Sequence, residues 1–475
     1  MKRMAGADAQ HLYRETRVQH DHTIKIAILD PSTSHVDLSF AATRERVGEI
    51  LPRIPPFRWR LVKVPFGLCH PLWADDPKLD LNYHVRRAAV PSPGGVQEFC
   101  EVVSTVASVP LERDRPLWQL WVVEGLEQGH FAYVIKMHHA LADGTSSAQI
   151  LVDLLSQSPE PTDLASKIGP LVADVIPPST HLIVDGIGDV VRMTMRFPAL
   201  VRRSMAVLKI GAARKKAGAP QPTPLFSGPP TRYNNKFTPH RTYANVTVAL
   251  DDMRLVKEAF GVSLNDVLLA MTGGAVRGYL EGHRELPPAS LTASVPVSIR
   301  KPEELRTYGN RLAMWYVSLA TDYADPVERL RAVARSTRAA REDLDSKDRE
   351  LLHDWMEYWW LFKLFYGLQA LAILLLRRPS LNVIVSNVRG PSVPLYSGGA
   401  RVLGIMSMGP LFNDVGLNVT AWSYLDQMSI GIVACHEHVP DIWDLADRFP
   451  TELQRLVAAA ANHRPAPERT LAAAS

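Results

Sequence analysis

The stretch FAYVIKMHHALADGTSSAQILVDLL at residues 131–155 constrains the fold more than any other part of the chain. Its first part, 131–137, has the period-two alternation and β-branched composition that predict a buried strand. A tight polar turn follows, after which Thr145 or Ser146 can cap a helix. We therefore expect a strand, a turn and a helix in immediate succession.

Two adjacent histidines stand where this strand meets the turn. Since strand side chains alternate, His139 and His138 should point to opposite faces, and only one imidazole can face a given cavity. His139 should share its face with Phe131, Tyr133, Ile135 and Met137. Adjacent ligands with opposed side chains make a poor metal site, so we predict no metal.

The turn residues that follow have predicted supporting roles. Asp143, close to the start of a helix, is placed to hold the loop by hydrogen bonds or an ion pair. Gly144 permits a backbone geometry that a side chain would obstruct. An imidazole with an ordinary pKa of about 6.5 can act as a general base near neutral pH. It could deprotonate an alcohol that attacks a thioester, which is already activated and needs no enzyme nucleophile.

Composition sets outer limits on the fold and the compartment. A chain of 475 residues is too long for one ordinary core, so two domains are expected. The three cysteines, Cys69, Cys100 and Cys435, are widely spaced, which argues against a disulfide framework and fits a reducing compartment. The N-terminus turns polar at once, so a signal peptide is not expected, and the protein should be cytoplasmic.

Periodicity divides the rest of the chain into alternating elements. Strands are predicted at 22–30, 241–250, 291–299, 311–320, 381–388 and 428–436, and helices at 98–110 and 262–280. We expect a first lobe at 1–163, a linker with basic amphipathic helices at 164–235, a second lobe at 236–460 and a disordered tail at 461–475. Ser263 and Asn265 offer capping oxygens for the helix at 262–280.

Two segments suggest contact with a lipid surface. Residues 185–218 carry eight basic and two acidic side chains interleaved with apolar ones, a composition that suits an anionic membrane face or a solvated helix. Residues 359–376 form an apolar run that Lys363 and Gln369 interrupt. We expect that run to be a helix buried between lobes or under a lipid channel.

The motif His138-His139-x3-Asp143-Gly144 resembles the HHxxxDG signature of the coenzyme A-dependent acyltransferase superfamily, which includes chloramphenicol acetyltransferase. Within it, the chain is similar to the bacterial wax ester synthase/diacylglycerol acyltransferases of the actinobacterial triacylglycerol synthase type. The narrower matches are Pro116-Leu117-Trp118, Asn265-Asp266, Gly309-Asn310, Asn387-Val388-Arg389-Gly390-Pro391, Gly416-Leu417-Asn418, Ser423-Tyr424 and Val439-Pro440-Asp441. They cover nearly the whole chain.

The resemblance implies an α/β (α+β) fold of two chloramphenicol-acetyltransferase-like lobes, each a mixed sheet flanked by helices, with a channel between them. It implies His139 as the general base, His138 as a supporting residue and Asp143 as a structural one. Channel candidates are Pro116, Leu117, Trp118, Asn265, Asp266, Asn387 and Arg389. For the first three, packing in the core is favoured over substrate contact, because buried aromatic residues are mostly packing, whereas Asn265 could equally be a helix cap.

The same resemblance implies the substrates and partners. Acyl-CoA would be a co-substrate, with no bound cofactor, and the acceptor would be a lipid alcohol, either diacylglycerol or a long-chain alcohol. The protein would work peripherally at the inner face of the cell membrane or at lipid droplets, as a monomer or weak homodimer, with no nucleic-acid partner.

Three alternatives remain open from the sequence. His138 and Asp143 also fit the shorter HxxxxD motif of glycerophosphate acyltransferases, in which the first histidine is the base, although the phosphate-binding stretch of those enzymes is not found. The acyl donor could instead be a carrier protein of polyketide or complex-lipid synthesis. A two-lobed protein could also bind lipid without turnover.

Overall fold

The computed structural model describes residues 1–76, 79–160, 173–304, 307–412 and 414–463, apart from the side chains at 359, 360, 362 and 363. The strands are β1 Lys2–Arg3, β2 His22–Asp30, β3 Trp59–Val62, β4 Leu72–Asp75, β5 Val85–Ala89, β6 Trp118–Glu124, β7 Phe131–His138, β8 Arg241–Ala249, β9 Thr292–Ser298, β10 Leu312–Ser318, β11 Val383–Arg389, β12 Tyr396–Ser397, β13 Ala400–Met408, β14 Leu417–Tyr424 and β15 Gln427–Cys435. The helices are α1 Gly6–Arg14, α2 Phe40–Ile50, α3 Leu81–His84, α4 Val96–Ser108, α5 Gly144–Leu154, α6 Ser179–Lys216, α7 Leu250–Phe260, α8 Leu264–Gly282, α9 Pro326–Asp345, α10 Leu351–Met356, α11 Trp359–Leu376, α12 Ile442–Ala446 and α13 Arg448–Ala461.

The first sheet has the order β12-β13-β2-β7-β6-β5 and is mixed, because β5 and β6 are parallel whereas its other pairs are antiparallel. The side chains of β7 alternate as its sequence predicts. Phe131, Tyr133, Ile135 and Met137 pack with helices α2 and α5 on one face. Ala132 and Val134 pack with α4 on the other.

The second sheet has the order β10-β9-β11-β14-β15-β8 and is also mixed. One face carries the apolar core formed with helices α7, α8, α9 and α13. The opposite face is left free of these helices. Alternate side chains of β9, β10, β11 and β14 therefore point toward the first sheet.

The first sheet includes a strand from the second half of the chain, which is called the exchanged strand below. Residues 400–408 lie late in the chain, yet β13 pairs with β2 of the first sheet, from Arg401 opposite Asp30 to Met408 opposite Ile24. β13 also passes close to β15, where a Cβ on Gly431 would stand 2.1 Å from the carbonyl oxygen of Ser407. Only glycine fits this approach, which ties the sheets together.

The mixed α/β fold predicted from the sequence is confirmed, with two six-stranded sheets that are each flanked by helices and a smaller sheet of order β1-β4-β3. The domain limits at 163 and 236 stay a prediction, and the exchanged strand means that the sheets do not divide the chain at one point. The tail predicted to be disordered lies, from residue 464 onward, outside the described residues.

The predicted linker contains the helix α6, which spans 38 residues and packs against α10. Helix α11 is not buried, contrary to expectation. Seven of its apolar side chains are 47–72% exposed: Leu364, Phe365, Leu368, Leu371, Leu374, Leu375 and Leu376. The apolar run therefore faces outward rather than into a core.

No single helix within the described residues combines the length and apolar character needed to cross a membrane. The pair α7 and α8, bent by 103°, meets those criteria together. In α8, most side chains from Val267 to Val276 are buried in the core of the second sheet.

Candidate active site

A cavity of about 630 Å³ lies between the free face of the second sheet and the turn after β7. Its walls come from both halves of the chain. The first half contributes α1, β2, His139 and the start of α5. The second half contributes Pro296 and Ser298 of β9, Leu312 and Met314 of β10, and parts of α10, β11 and β14.

His139 follows the last residue of β7 and lines this cavity. Its backbone N–H donates to the carbonyl oxygen of Asp21 at 2.7 Å, which continues the pairing of β7 with β2. Its Nδ1 lies 3.1 Å from Oδ1 of Asn310. The orientation of the imidazole therefore depends on a residue from the other half of the chain.

Asn310 fixes which nitrogen of His139 carries the proton. Its Nδ2 donates to the carbonyl oxygen of His139 at 2.9 Å, and a carbonyl can only accept, so the amide cannot be flipped. The Oδ1 of Asn310 is then an acceptor, and Nδ1 of His139 must be the donor. The other ring nitrogen, Nε2, is left with a lone pair, which is the state that a general base needs.

Asp8 holds Asn310 in turn. Its Oδ1 accepts from the backbone N–H of Asn310 at 2.7 Å and from Nδ2 at 2.8 Å. Burial raises the pKa of Asp8 to about 7. The chain Asp8–Asn310–His139 resembles the acid-to-histidine support of hydrolytic triads, except that an uncharged amide contacts the imidazole.

A second imidazole lies against His139. The ring of His11 stacks on it with centroids 4.3 Å apart and an interplanar angle of 17°. Nη2 of Arg14 donates to Nδ1 of His11 at 2.7 Å, and Arg14 is itself paired with buried Asp21. Nδ1 of His11 also lies 3.3 Å from Oδ2 of Asp21.

Burial keeps both imidazoles neutral. It lowers the pKa of His139 well below the ordinary value, and the neighbouring His11 adds to the effect. Burial, followed by the adjacent Arg14, lowers the pKa of His11 to about 4. At neutral pH His139 is thus present almost entirely as the free base.

Asp143 is the N-cap of α5 and bridges the two halves of the chain. Its Oδ1 accepts from the backbone N–H of Ser146 at 2.9 Å, and its Oδ2 accepts from Arg311 N at 3.0 Å. Oδ2 also accepts from Nη2 of Arg300 at 2.8 Å, and both side chains of this ion pair are fully buried. Its hydrogen bonds hold the turn and do not involve His139.

His138 faces away from the cavity, into the first sheet. Its Nδ1 accepts from the backbone N–H of Ala140 at 3.1 Å, and its Nε2 lies 3.5 Å from a carboxylate oxygen of Glu15. This placement agrees with the alternation in the sequence and does not favour the short-motif alternative, in which His138 would be the base.

The cavity wall includes Gly144, Asn387 and Arg389 from the predicted set. Gly144 begins α5, and a Cβ there would approach a methyl group of Val388 to 3.0 Å. Its backbone is not in the left-handed region, so glycine is favoured by limited space. Asn387 and Arg389 lie at the end of β11, beside this contact.

The structure places Pro116, Leu117 and Trp118 outside the cavity. All three are buried, and Trp118 stacks between Phe57 and His84 with its Nε1 donating to the carbonyl oxygen of Phe57 at 2.7 Å. Their burial is accounted for by packing in the first sheet's core.

Asn265 and Asp266 also lie away from the cavity, at the start of α8. Ser263 and Asp266 form a reciprocal capping box, and Asp266 additionally accepts from Thr337 Oγ1 at 2.6 Å. Ser263, rather than Asn265, supplies the cap.

Sequence reasoning missed four groups at this site. Asn310 was noted only as part of a family match, and His11, Lys25 and Arg300 gave no local pattern. His11 falls on the helix α1, three residues after Asp8, and this spacing puts both on one helix face.

Comparison with known proteins identifies the family. Residues 4–268 match the model described as the wax ester synthase/diacylglycerol acyltransferase catalytic domain, and residues 308–457 match the C-terminal domain of the same proteins. The chain belongs to the wax ester synthase/diacylglycerol acyltransferase family, as its motifs predict.

Relatives extend over the whole length. A provisionally named diacylglycerol O-acyltransferase of Mycobacterium tuberculosis is 36% identical, over 93% of this chain and 92% of its own. Another from that species is 34% identical, over 97% and 98% of the two chains.

Solved structures agree with the family assignment. The wax ester synthase/diacylglycerol acyltransferase of Marinobacter aquaeolei VT8 superposes with a TM-score of 0.67 at 26% identity, over 97% of this chain and 100% of that one. The first condensation domain of the calcium-dependent antibiotic synthetase gives 0.60 at 16% identity, over 98% of both chains, and shares the fold.

We predict that Asp143→Asn lowers the free energy of unfolding by about 3–5 kcal/mol, because it leaves buried Arg300 without its counter-charge. Denaturant titration measures this loss, and Arg300→Met combined with Asp143→Asn should cost less than the sum of the single changes. An unchanged melting curve together with abolished turnover would show instead that the carboxylate takes part in the chemistry.

We predict that Asn310→Ala lowers kcat at least about tenfold, because the imidazole loses the acceptor that fixes its tautomer. KM for acyl-CoA should change little, since Asn310 acts through His139. Asn462→Ala, at an exposed amide in the turn after α13, is the matched control. A loss explained by lower thermal stability alone would contradict the positioning role.

Proposed function

We propose that the chain is an enzyme that transfers a long-chain acyl group from acyl-CoA to a lipid hydroxyl, with His139 as the general base. Diacylglycerol, giving triacylglycerol, is the first acceptor to consider, and a long-chain alcohol, giving a wax ester, is the second. The observation that carries the proposal is the neutral His139, with a lone pair on Nε2, at the wall of a cavity of about 630 Å³.

The residues support one sequence of proton transfers. The hydroxyl oxygen of the acceptor attacks the thioester carbonyl carbon while Nε2 of His139 takes the hydroxyl proton. The tetrahedral intermediate then collapses, the C–S bond breaks, and the imidazolium returns its proton to the departing thiolate. The products are the ester and free coenzyme A, and His139 is neutral again.

The lowered pKa of His139 suits the second half of this cycle. A weakly basic imidazolium gives up its proton readily, so the thiolate is protonated as it leaves.

The family assignment favours a coenzyme A donor. Both domain models that match are those of wax ester synthases and diacylglycerol acyltransferases. The condensation domains resemble this chain at the level of fold only, so a carrier-protein donor has no specific support. A protein that binds lipid without turnover would have no need for the arrangement of Asp8, Asn310 and His139.

We further infer peripheral attachment to a lipid surface through α11 and α6. Helix α11 exposes a row of leucines, and its Tyr366 contacts Arg14 on the cavity wall. Helix α6 exposes Met195, Met205 and Leu208 among basic residues. Arg192, Arg203 and Arg214 form ion pairs within the protein, which leaves five basic residues exposed for anionic headgroups: Arg196, Arg202, Lys209, Lys215 and Lys216.

We predict that His139→Ala lowers kcat by a factor of about 10²–10⁴ while the fold is retained. The assay follows thiol release from palmitoyl-CoA with diolein, and separately with hexadecanol. His138→Ala serves as the comparison, since the imidazole of His138 faces Glu15 and not the cavity. A near-normal His139→Ala beside an inactive His138→Ala would refute the assignment of the base.

We predict that the protein floats with anionic liposomes and is partly released by high salt, because surface charges are screened over about 8–10 Å at ordinary ionic strength. Changing Arg196, Arg202, Lys209, Lys215 and Lys216 to Gln should remove the salt-sensitive part. Changing Leu371, Leu374 and Leu375 to Gln should remove the salt-resistant part.

The matched control is Arg192→Gln, because Arg192 is paired with Asp189 within α6. This variant should bind as the wild type does. Flotation that ignores salt and both sets of substitutions would refute attachment through these helices.

A further inference from the structure

The cavity contains a buried lysine that the transfer reaction described above does not use. Lys25 lies on β2, opposite Ile135 of β7 and Ser407 of β13 in the first sheet. It is 3% exposed and lines the same cavity as His139. Its stem is therefore held in the sheet while its ammonium group points into the substrate space.

Protein oxygens occupy two of the three N–H groups of this ammonium. Nζ donates to Thr23 Oγ1 at 2.9 Å and to Ser407 Oγ at 2.7 Å. The Thr23 hydroxyl donates to the carbonyl oxygen of Met408 at 3.0 Å, so Thr23 can only accept from Lys25. One N–H remains available to a molecule in the cavity.

Both partners are neutral, and no carboxylate within the described residues forms an ion pair with Lys25. Two buried carboxylates near the wall already have arginine partners. Asp21 is paired with Arg14, and Asp143 with Arg300. The ring of Trp422 lies 5.1 Å from Nζ and supplies only a weak attraction.

An isolated buried cation is unfavourable, and proteins pair such charges or place them where a ligand does so. Burial lowers the pKa of Lys25 to about 7, because the protein groups around the ammonium stabilise its charge poorly. A negatively charged oxygen beside Nζ would restore it. The remaining donor is a single N–H, and the nearby Asn418 and Thr420 hydrogen-bond Pro410 and each other.

We propose that Lys25 binds the carboxylate of the acceptor lipid, so that the preferred acceptor is a hydroxy fatty acid rather than an uncharged alcohol. A carboxylate carries one negative charge, which one lysine ammonium neutralises, whereas a phosphate monoester carries about −1.5 to −2 at pH 7. The proposal rests on the proposed acyl transfer and specifies the acceptor of that same site. The product is an ester whose acyloxy chain carries a free carboxylate.

The position of Nζ places the carboxylate near the base. Nζ hydrogen-bonds Thr23, which lies two residues, or about 7 Å of extended chain, from Asp21, whose carbonyl holds the backbone of His139. One hydroxy fatty acid can therefore contact Lys25 through its carboxylate and His139 through its hydroxyl.

The test compares 12-hydroxystearate with its methyl ester, using the full chain and oleoyl-CoA and following thiol release. The wild type should favour the free acid by about tenfold or more in kcat/KM, the amount expected of one charge-assisted hydrogen bond. Lys25→Met should abolish this preference through KM for the acid. Lys257→Met, on the exposed side of α7, is the control and should keep the preference.

Equal use of acid and methyl ester by the wild type would overturn the proposal, even if Lys25→Met fails to fold. So would a Lys25→Met enzyme that is slower with both but still prefers the acid. Diolein and hexadecanol in the same assay separate the two levels of inference. If the enzyme acylates diolein or hexadecanol but does not prefer free 12-hydroxystearate over its methyl ester, only the role of Lys25 is refuted. If it acylates none of the acceptors, the proposed function is refuted as well.

Discussion

The buried ion pair between Asp143 and Arg300 is the contact on which the site depends. Asp143 ends the turn after β7, and Arg300 follows β9 in the other half of the chain. Arg300 also donates to Ser146 Oγ and to the carbonyl oxygen of Gly309. Both side chains are fully buried, so loss of either charge would leave the other unpaired at a cost of about 3–5 kcal/mol.

That junction places Asn310, one residue after Gly309, against the imidazole of His139. The base is thus oriented by a residue some 170 positions away in the chain. The cavity has the same dual origin, because its floor is β2 and its roof is the free face of the second sheet. Acyl transfer requires two large substrates to meet at one atom, and a space between two sheets lets them approach from different sides.

Much of this could be predicted from the sequence where the signal was local. Strand periodicity located β2 at His22–Asp30, and the turn motif located His139, Asp143 and Gly144. The exchanged strand β13 could not be predicted, because nothing in residues 400–408 indicates which sheet they join. Hydropathy misplaced α11, since an apolar run has the same pattern in a core as on a lipid-facing surface.

The wall residues were hidden for a different reason. Lys25 sits in a strand whose other side chains are buried, and its polar partners Thr23 and Ser407 meet it only after the sheet has formed. Trp118 shows the reverse case. Its motif suggested a substrate contact, yet stacking on Phe57 and His84 places it in the core. Motif membership alone does not separate the residues that touch substrate from those that hold the fold.

The site works as described only if His139 is a neutral imidazole with its proton on Nδ1 and a free lone pair on Nε2. Nitrogen-15 NMR of the histidine rings measures this protonation state, with His139→Gln used to assign the signals. Because burial lowers the pKa of His139, we expect Nε2 to be unprotonated at neutral pH and to remain so as the pH falls below about 6.5, where an ordinary histidine gains its charge. A His139 that is protonated on Nε2, or that titrates at or above that pH, would contradict it.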